Sequence, residues 1–186
     1  MRKNFGAKPF VYPQPVFIIG SYDENGVADA MNAAWGSIAD YKTIALYLNV
    51  NHKTVKNILN SKAFTVSIAD EKHVVEADYV GLVSANNVPD KLEKAGLHTT
   101  RSEFVDAPLI DVFPLALECR LMSYDENTHL LLGEIVNVCA EEAILDENGL
   151  IDPAKLKPIT FDPIHNAYLK LGEKVGNAFK DGNSLK

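Results

Sequence analysis

The chain has 186 residues, 47% of them hydrophobic and 23% charged, with a formal net charge of −7. That length suits one substantial core, and an acidic chain without a Lys/Arg-rich run lacks the phosphate-neutralising surface of a nucleic-acid binder. No apolar run approaches the roughly 18 residues of a membrane helix.

The expectation is a single domain over residues 1–186, cytoplasmic, with neither nucleic acid nor membrane as partner. The opening "MRKNFGAKPFVYPQP" is basic but has no apolar stretch behind it, so it is not read as a secretory signal.

In chain order, "PVFIIGSY" reads as a strand, "DENG" as a turn and "VADAMNAAW" as a second strand. Asp, Asn and Gly favour such turns because they hydrogen-bond their own backbone or accept positive φ. "IALYLNV" is a further strand and "TVKNILNSK" a short amphipathic helix, capped by Thr54 and facing the core with Val55, Ile58 and Leu59. "KAFTVSIAD" alternates Phe64, Val66 and Ile68 as a strand does. "HVVEADYVGLV" reads helical, with Val75, Tyr79 and Leu82 aligned on one face. "NNVPDKLEKAG" reads as a second short helix, with Pro89 in its first turn and Gly96 as its stop.

The last third predicts a hairpin, "LALECRLMSY" and "HLLLGEIVNVCAEEAIL", about the "DENT" turn at 125–128, then a helical turn at "DPAKL" opened by Asp152 and Pro153. Pairing across that turn sets Cys119 opposite Gly133 rather than Cys139, so two reduced thiols are expected. The five histidines show no metal-ligand spacing, and no structural metal is expected. Six to eight strands with three or four short helices, and few strand–helix–strand units, describe a mostly β protein. It is expected to be an antiparallel barrel with helical insertions.

Four segments carry candidate chemistry, the last of them "NAYLKLGEKVGNAF", which reads as a helix running into a loop around Tyr168 and Gly172 and holds no dinucleotide fingerprint. At "NVNHKTVKNIL" a strand becomes a helix, and His52, Lys53 and Thr54 stand at the helix start. There the free N–H groups and partial positive charge attract an anion. An ordinary capped helix with a solvated lysine explains the same pattern, and there is no glycine-rich nucleotide loop. "DAMNAAWGSIAD" holds the one tryptophan beside small residues, either core filler or a strand that lets a flat ring approach the backbone. "SANNVPDKLEKAGL" places Ser84 and Lys91 around a helix start, as a capped surface helix also would.

Taken in order, these segments resemble the flavin reductase-like proteins, an FMN-binding split β-barrel of antiparallel Greek-key type, and the flavoredoxin branch in particular. The resemblance rests on Pro13, Pro15 and Val16; on Asn32, Ala33, Ala34 and Trp35; on "NHKT"; and on Phe64 to Ser67. It continues through Ser84, Asp90, Lys91, Leu92, Gly96 and Leu97, then "APLI", "LEC", "HLLLGEI" and the stretch from Tyr168 to Gly176.

It implies that Lys53 and Thr54, with His52, hold the FMN phosphate, and that Asn32 to Trp35 pass the isoalloxazine edge. Asn49, Ser67, Ser84 and Tyr168 would be flavin neighbours, and Lys91 a cation near the pyrimidine end, easing reduction. His129 matches a histidine of true reductases and is the catalytic candidate. Many relatives carry Arg in the phosphate loop, where this chain has only Lys53 and His52, and lysine lacks the bidentate fork.

The implied activity is an NAD(P)H-dependent flavin oxidoreductase, with hydride passing from NADH or NADPH to flavin N5. A flavoredoxin-type electron carrier reduced by a protein partner is the alternative, and a pyridoxamine-phosphate-oxidase-like enzyme a third. The family also implies a homodimer with flavin at its interface.

Overall fold

The computed structural model describes all residues, 1–186. Twelve strands form three antiparallel sheets. The largest contains β2 (Phe17–Tyr22), β3 (Ala28–Ala33), β4 (Gly36–Asp40), β5 (Thr43–Tyr47), β6 (Ala63–Ile68), β9 (Leu115–Asp125) and β10 (Leu130–Ala140), in the order β3-β2-β6-β9-β10-β5-β4. β3 and β4 are consecutive in the chain yet lie at opposite edges. The sheet curls into a half-barrel that only Ala34 and Trp35 cross between its edges. This is the split barrel the sequence predicts.

Two small sheets flank it: β1 (Gln14–Pro15) with β11 (Ile159–Asp162) and β12 (Ala167–Lys170), and β7 (Thr99–Arg101) with β8 (Pro108–Ile110). Twelve strands exceed the expected six to eight because several span only two to four residues, too short for alternation to show in sequence.

Alternation sorts the core into two layers. Phe17, Ile19, Ile44, Leu46, Phe64 and Val66 fill the half-barrel and receive Val55 and Ile58 of α1 (Lys53–Ser61). On the other side Val16, Ile18, Ala30 and Ala69 pack with Ala77 and Val80 of α2 (Val74–Leu82) and with Leu97 after α3 (Lys91–Lys94). A fourth helix, α4 (Pro153–Leu156), is opened by the Asp152 carboxylate accepting from the Ala154 N–H, as expected. No helix is long and apolar enough to cross a membrane.

Three findings correct the sequence reading. The N-cap of α1 is His52, not Thr54, and no side chain caps it. α2 turns Val75 and Leu82 outward, 78% and 74% exposed, and buries the smaller Ala77 and Val80. Close approach to β3 explains this: a Cβ on Gly81 would stand 2.9 Å from the Asn32 Cβ, so small residues win the contact face. In the β9–β10 hairpin Cys119 faces Ile135 while Gly133 faces Leu121, because bulges beside Leu132 and Ile135 shift the pairing. Cys139 faces Ala116, so the register still separates two free thiols.

The D-E-N turns share one construction. Asp23 accepts from the N–H groups of Asn25 and Val27, Asp125 from those of Asn127 and Thr128, and Asp146 from those of Asn148 and Leu150. These backbone donors hold all three carboxyls below the usual carboxylate range.

Candidate functional site

Helix α1 begins where β5 ends, and the intervening loop folds onto the start of β10. The Leu48 N–H donates to the His129 carbonyl at 2.8 Å, and the Tyr124 hydroxyl donates to the Leu48 carbonyl at 2.8 Å. Asn49 turns the chain by accepting from the Asn51 N–H through Oδ1 at 2.9 Å. That contact leaves the Asn49 amide nitrogen facing His129 Nε2 at 3.5 Å. The Nδ1 of His129 is buried and has no partner.

At the helix start the N–H groups of Lys53, Thr54 and Val55 donate to neither backbone nor side chain, and no acidic residue lies in the first turn. Such free donors carry the positive end of the helix dipole. Lys53 Nζ stands 3.5 Å from the Asp23 carboxylate. The His52 imidazole is held below its ordinary pKa by burial first, then by repulsion from His129 and Lys91. His52, Lys53, Asn49 and His129 therefore form one group at the head of α1, a donor set suited to a phosphate ester.

Thr54 and Lys91 join this group through a residue the sequence reading missed. Thr54 Oγ1 donates to Asp29 Oδ2 at 2.6 Å, and Lys91 Nζ lies 2.9 Å from Asp29 Oδ1. Lys91 is 2% exposed and Asp29 3%. Lys91 also donates to the carbonyls of Val83 at 3.3 Å and Val80 at 3.5 Å, at the end of α2. No sequence signal pairs Asp29 with Lys91 across 61 intervening positions; the alternation of β3, which puts Asp29 on the same face as Met31 and Ala33, is the nearest hint. Ser84 follows directly and accepts from the Asn86 N–H at 3.2 Å.

β3 leads away from this group along the sheet edge, so one row of its backbone groups is unpaired. Ala33 leans on the half-barrel core, Ala34 is half-buried, and Trp35 is 55% exposed, with its carbonyl accepting from the Tyr47 N–H at 2.9 Å. Beyond them a cavity of about 520 Å³ opens between β1 and β4, lined by Pro13, Pro15, Phe17, Ile38, Ile68 and Ile159 among others, with no charged side chain. The edge thus runs from a cationic, donor-rich head to an apolar end.

Asn32 and Tyr168, which lies on the strand β12 rather than in the expected helix, meet on the opposite face of β3. The Asn32 amide donates to the Ala77 carbonyl at 2.9 Å and to the Tyr168 oxygen at 3.4 Å, while the Tyr168 hydroxyl donates to Asp78 at 2.7 Å. Burial, then the Asp78 contact, push the Tyr168 pKa up to about 12. Ser67 stands apart from all these residues on the central strand β6, between Ile18 and Ala116, with its hydroxyl buried and unpaired.

Residues 10–159 match the model of the flavin reductase like domain. The chain is 37% identical to the flavoredoxin of Desulfovibrio vulgaris (Miyazaki F), with a TM-score of 0.94 over 98% of this chain and 100% of that one. It is 28% identical to the flavoredoxin from Methanosarcina acetivorans, with a TM-score of 0.90 over the whole of both chains. An uncharacterized protein of Aquifex aeolicus is 27% identical over 161 residues, covering 80% of each chain.

Proposed function

Because the chain belongs to the flavin reductase-like domain family, we propose that it is an FMN-binding oxidoreductase that draws its electrons from NADH or NADPH. The observation that carries this reading is the uncapped first turn of α1 beside Lys53 and His52, at the head of an edge strand that ends in apolar surface. A nucleotide with a dianionic head and a flat, largely apolar ring fits that polarity. The FMN phosphate would lie against the N–H groups of residues 53–55 and the Lys53 ammonium.

Bound FMN supplies a ring that accepts a hydride and passes electrons on. The protein's part is to bind, orient and exclude water. The free row of β3 gives backbone donors and acceptors to the ring's polar edge, and Ala33 and Ala34 leave room for its approach. His129, whose Nδ1 is buried and unpaired, is the candidate proton donor of the site.

Exposed Trp35, Ile38, Tyr41 and Tyr47 around the edge strand β4 support a second copy covering this region, which is the homodimer reading. A second functional reading, an electron carrier reduced by a partner protein, is favoured by the 37% identity to a flavoredoxin over nearly the whole chain.

The test is an anaerobic titration of the FMN-loaded protein with NADH and then NADPH, following the visible flavin band. Bleaching without another protein supports the reductase and names its donor. A bound flavin that stays oxidised overturns it in favour of the carrier.

A further inference from the structure

The buried cluster of Asp29, Thr54 and Lys91 connects the start of one helix to the end of another. Thr54 is in the first turn of α1, Asp29 on β3, and Lys91 opens α3 while reaching the carbonyls that end α2. Each member lies almost wholly out of water. Removing such a charge pair from water carries a heavy desolvation cost, and an apolar replacement is often as stable. Fold stability alone gives little reason for it, whereas a unique fixed arrangement does.

The hydrogen-bond inventory restricts what these side chains can offer a ligand. A threonine hydroxyl has one proton, and that of Thr54 is committed to Asp29 Oδ2. A lysine ammonium has three; Lys91 donates to the Val83 and Val80 carbonyls, while Asp29 Oδ1 faces it at 2.9 Å as a counter-ion and makes no hydrogen bond of its own. At the Thr54 end of the cluster, what remains free to donate is the backbone: the N–H groups of Lys53, Thr54 and Val55.

We propose that Asp29 is a positioning residue: by clasping Thr54 and Lys91 it aims the free N–H groups of α1 at the phosphate of the bound nucleotide, and so sets affinity for that phosphate without touching it. The proposal rests on the FMN reading above. Thr54 then serves through its main chain, and Lys91 through its hold on α2 rather than as a free cation beside the ring.

The test is a double-mutant cycle on dissociation constants, read from quenching of flavin fluorescence, with FMN and phosphate-free riboflavin as the two probes. Thr54→Val should weaken FMN about tenfold, the scale of one hydrogen bond to a charged group, and leave riboflavin unchanged. Thr54→Ser, which keeps the hydroxyl, should restore FMN binding. In an Asp29→Leu/Lys91→Met background, which leaves neither an unpaired buried charge nor an acceptor for Thr54, FMN should be weakened to a similar degree. Adding Thr54→Val there should cost nothing more, because the clasp is already open.

If Thr54→Val costs the same factor in both backgrounds, the hydroxyl meets the phosphate directly and the proposal is overturned, while the FMN reading stands. If the wild-type protein takes up no FMN, that reading falls and the proposal falls with it.

Discussion

The Lys53 ammonium lies 3.5 Å from the Asp23 carboxylate, so the lysine that heads α1 is joined to the first D-E-N turn. Asp23 is already held as a carboxylate by the Val27 and Asn25 N–H groups, and Lys53 adds to that. A phosphate arriving at α1 must therefore share Lys53 with an internal anion. Lys53→Ala should weaken FMN about tenfold, and Asp23→Asn, which keeps the turn-forming oxygen, should strengthen it severalfold. Equilibrium fluorescence titration of the two variants checks both signs. Equal affinities in all three proteins would remove Lys53 from the phosphate site.

His52 gives the site a pH dependence. In the free protein its pKa is lowered, by burial first and then by His129 and Lys91. A bound dianion favours the protonated ring and raises that pKa, so binding takes up a proton and affinity grows as pH falls through the interval between the two values. The FMN phosphate itself gains a proton near pH ~6, which opposes the trend. The informative quantity is therefore the ratio of wild-type to His52→Gln affinity. It should rise severalfold from about pH 8 to about pH 5.5. A flat ratio would mean that His52 brings no charge to the phosphate.

Much of the fold was legible because its cues are local: alternation in β2 and β6, the Asp-led turns, Asp152 and Pro153 before α4. The register of the β9–β10 hairpin was not, since two bulges shift it and a bulge has no fixed residue code. The face of α2 was misread because hydropathy favours Val75 and Leu82, whereas the packing distance to β3 admits only small side chains. At the site, the start of a helix at "NHKT" could be read, but not that it lacks a side-chain cap, because the Thr54 hydroxyl that looks like a cap is drawn to Asp29. The burial of Lys91 could not, because its partner Asp29 lies far upstream and looks like any polar residue on an alternating strand.

Gly133 is a position where space is the constraint. A Cβ there would come within 2.4 Å of the Phe64 ring in the half-barrel core. Gly133→Ala should destabilise the protein by about 1–3 kcal/mol, the usual range for overpacking. Thermal unfolding of the apo-protein reads it, and a paired Phe64→Leu change should recover part of the loss. An unchanged midpoint would show that the ring moves aside freely.

Glu71 ties the segment before α2 to the C-terminal strands. It pairs with Lys157 at 2.9 Å and with Lys170, and these contacts lower its pKa to about 2. Its folded value lies below the unfolded one, so its contribution is complete above the ordinary glutamate range and fades as pH falls from about 4.5 towards 2. Glu71→Gln should therefore narrow the gap in unfolding midpoint between neutral and acid solution. The same gap in variant and wild type would rule out this carboxylate as a source of acid sensitivity.

The passage from β3 to β4 has a mechanical consequence. These strands are the two free edges of the curled sheet, and only Ala34 and Trp35 separate them along the chain. The Trp35 carbonyl is pinned by the Tyr47 N–H, and Gly36 sits so close to Leu46 and the Ala45 carbonyl that no larger residue fits. A tether this short behaves as a rivet, holding the mouth of the barrel at one width. On that side the two free edges of the sheet cannot part without breaking these contacts, so the Ala34–Trp35 link makes it the fixed jaw of the half-barrel.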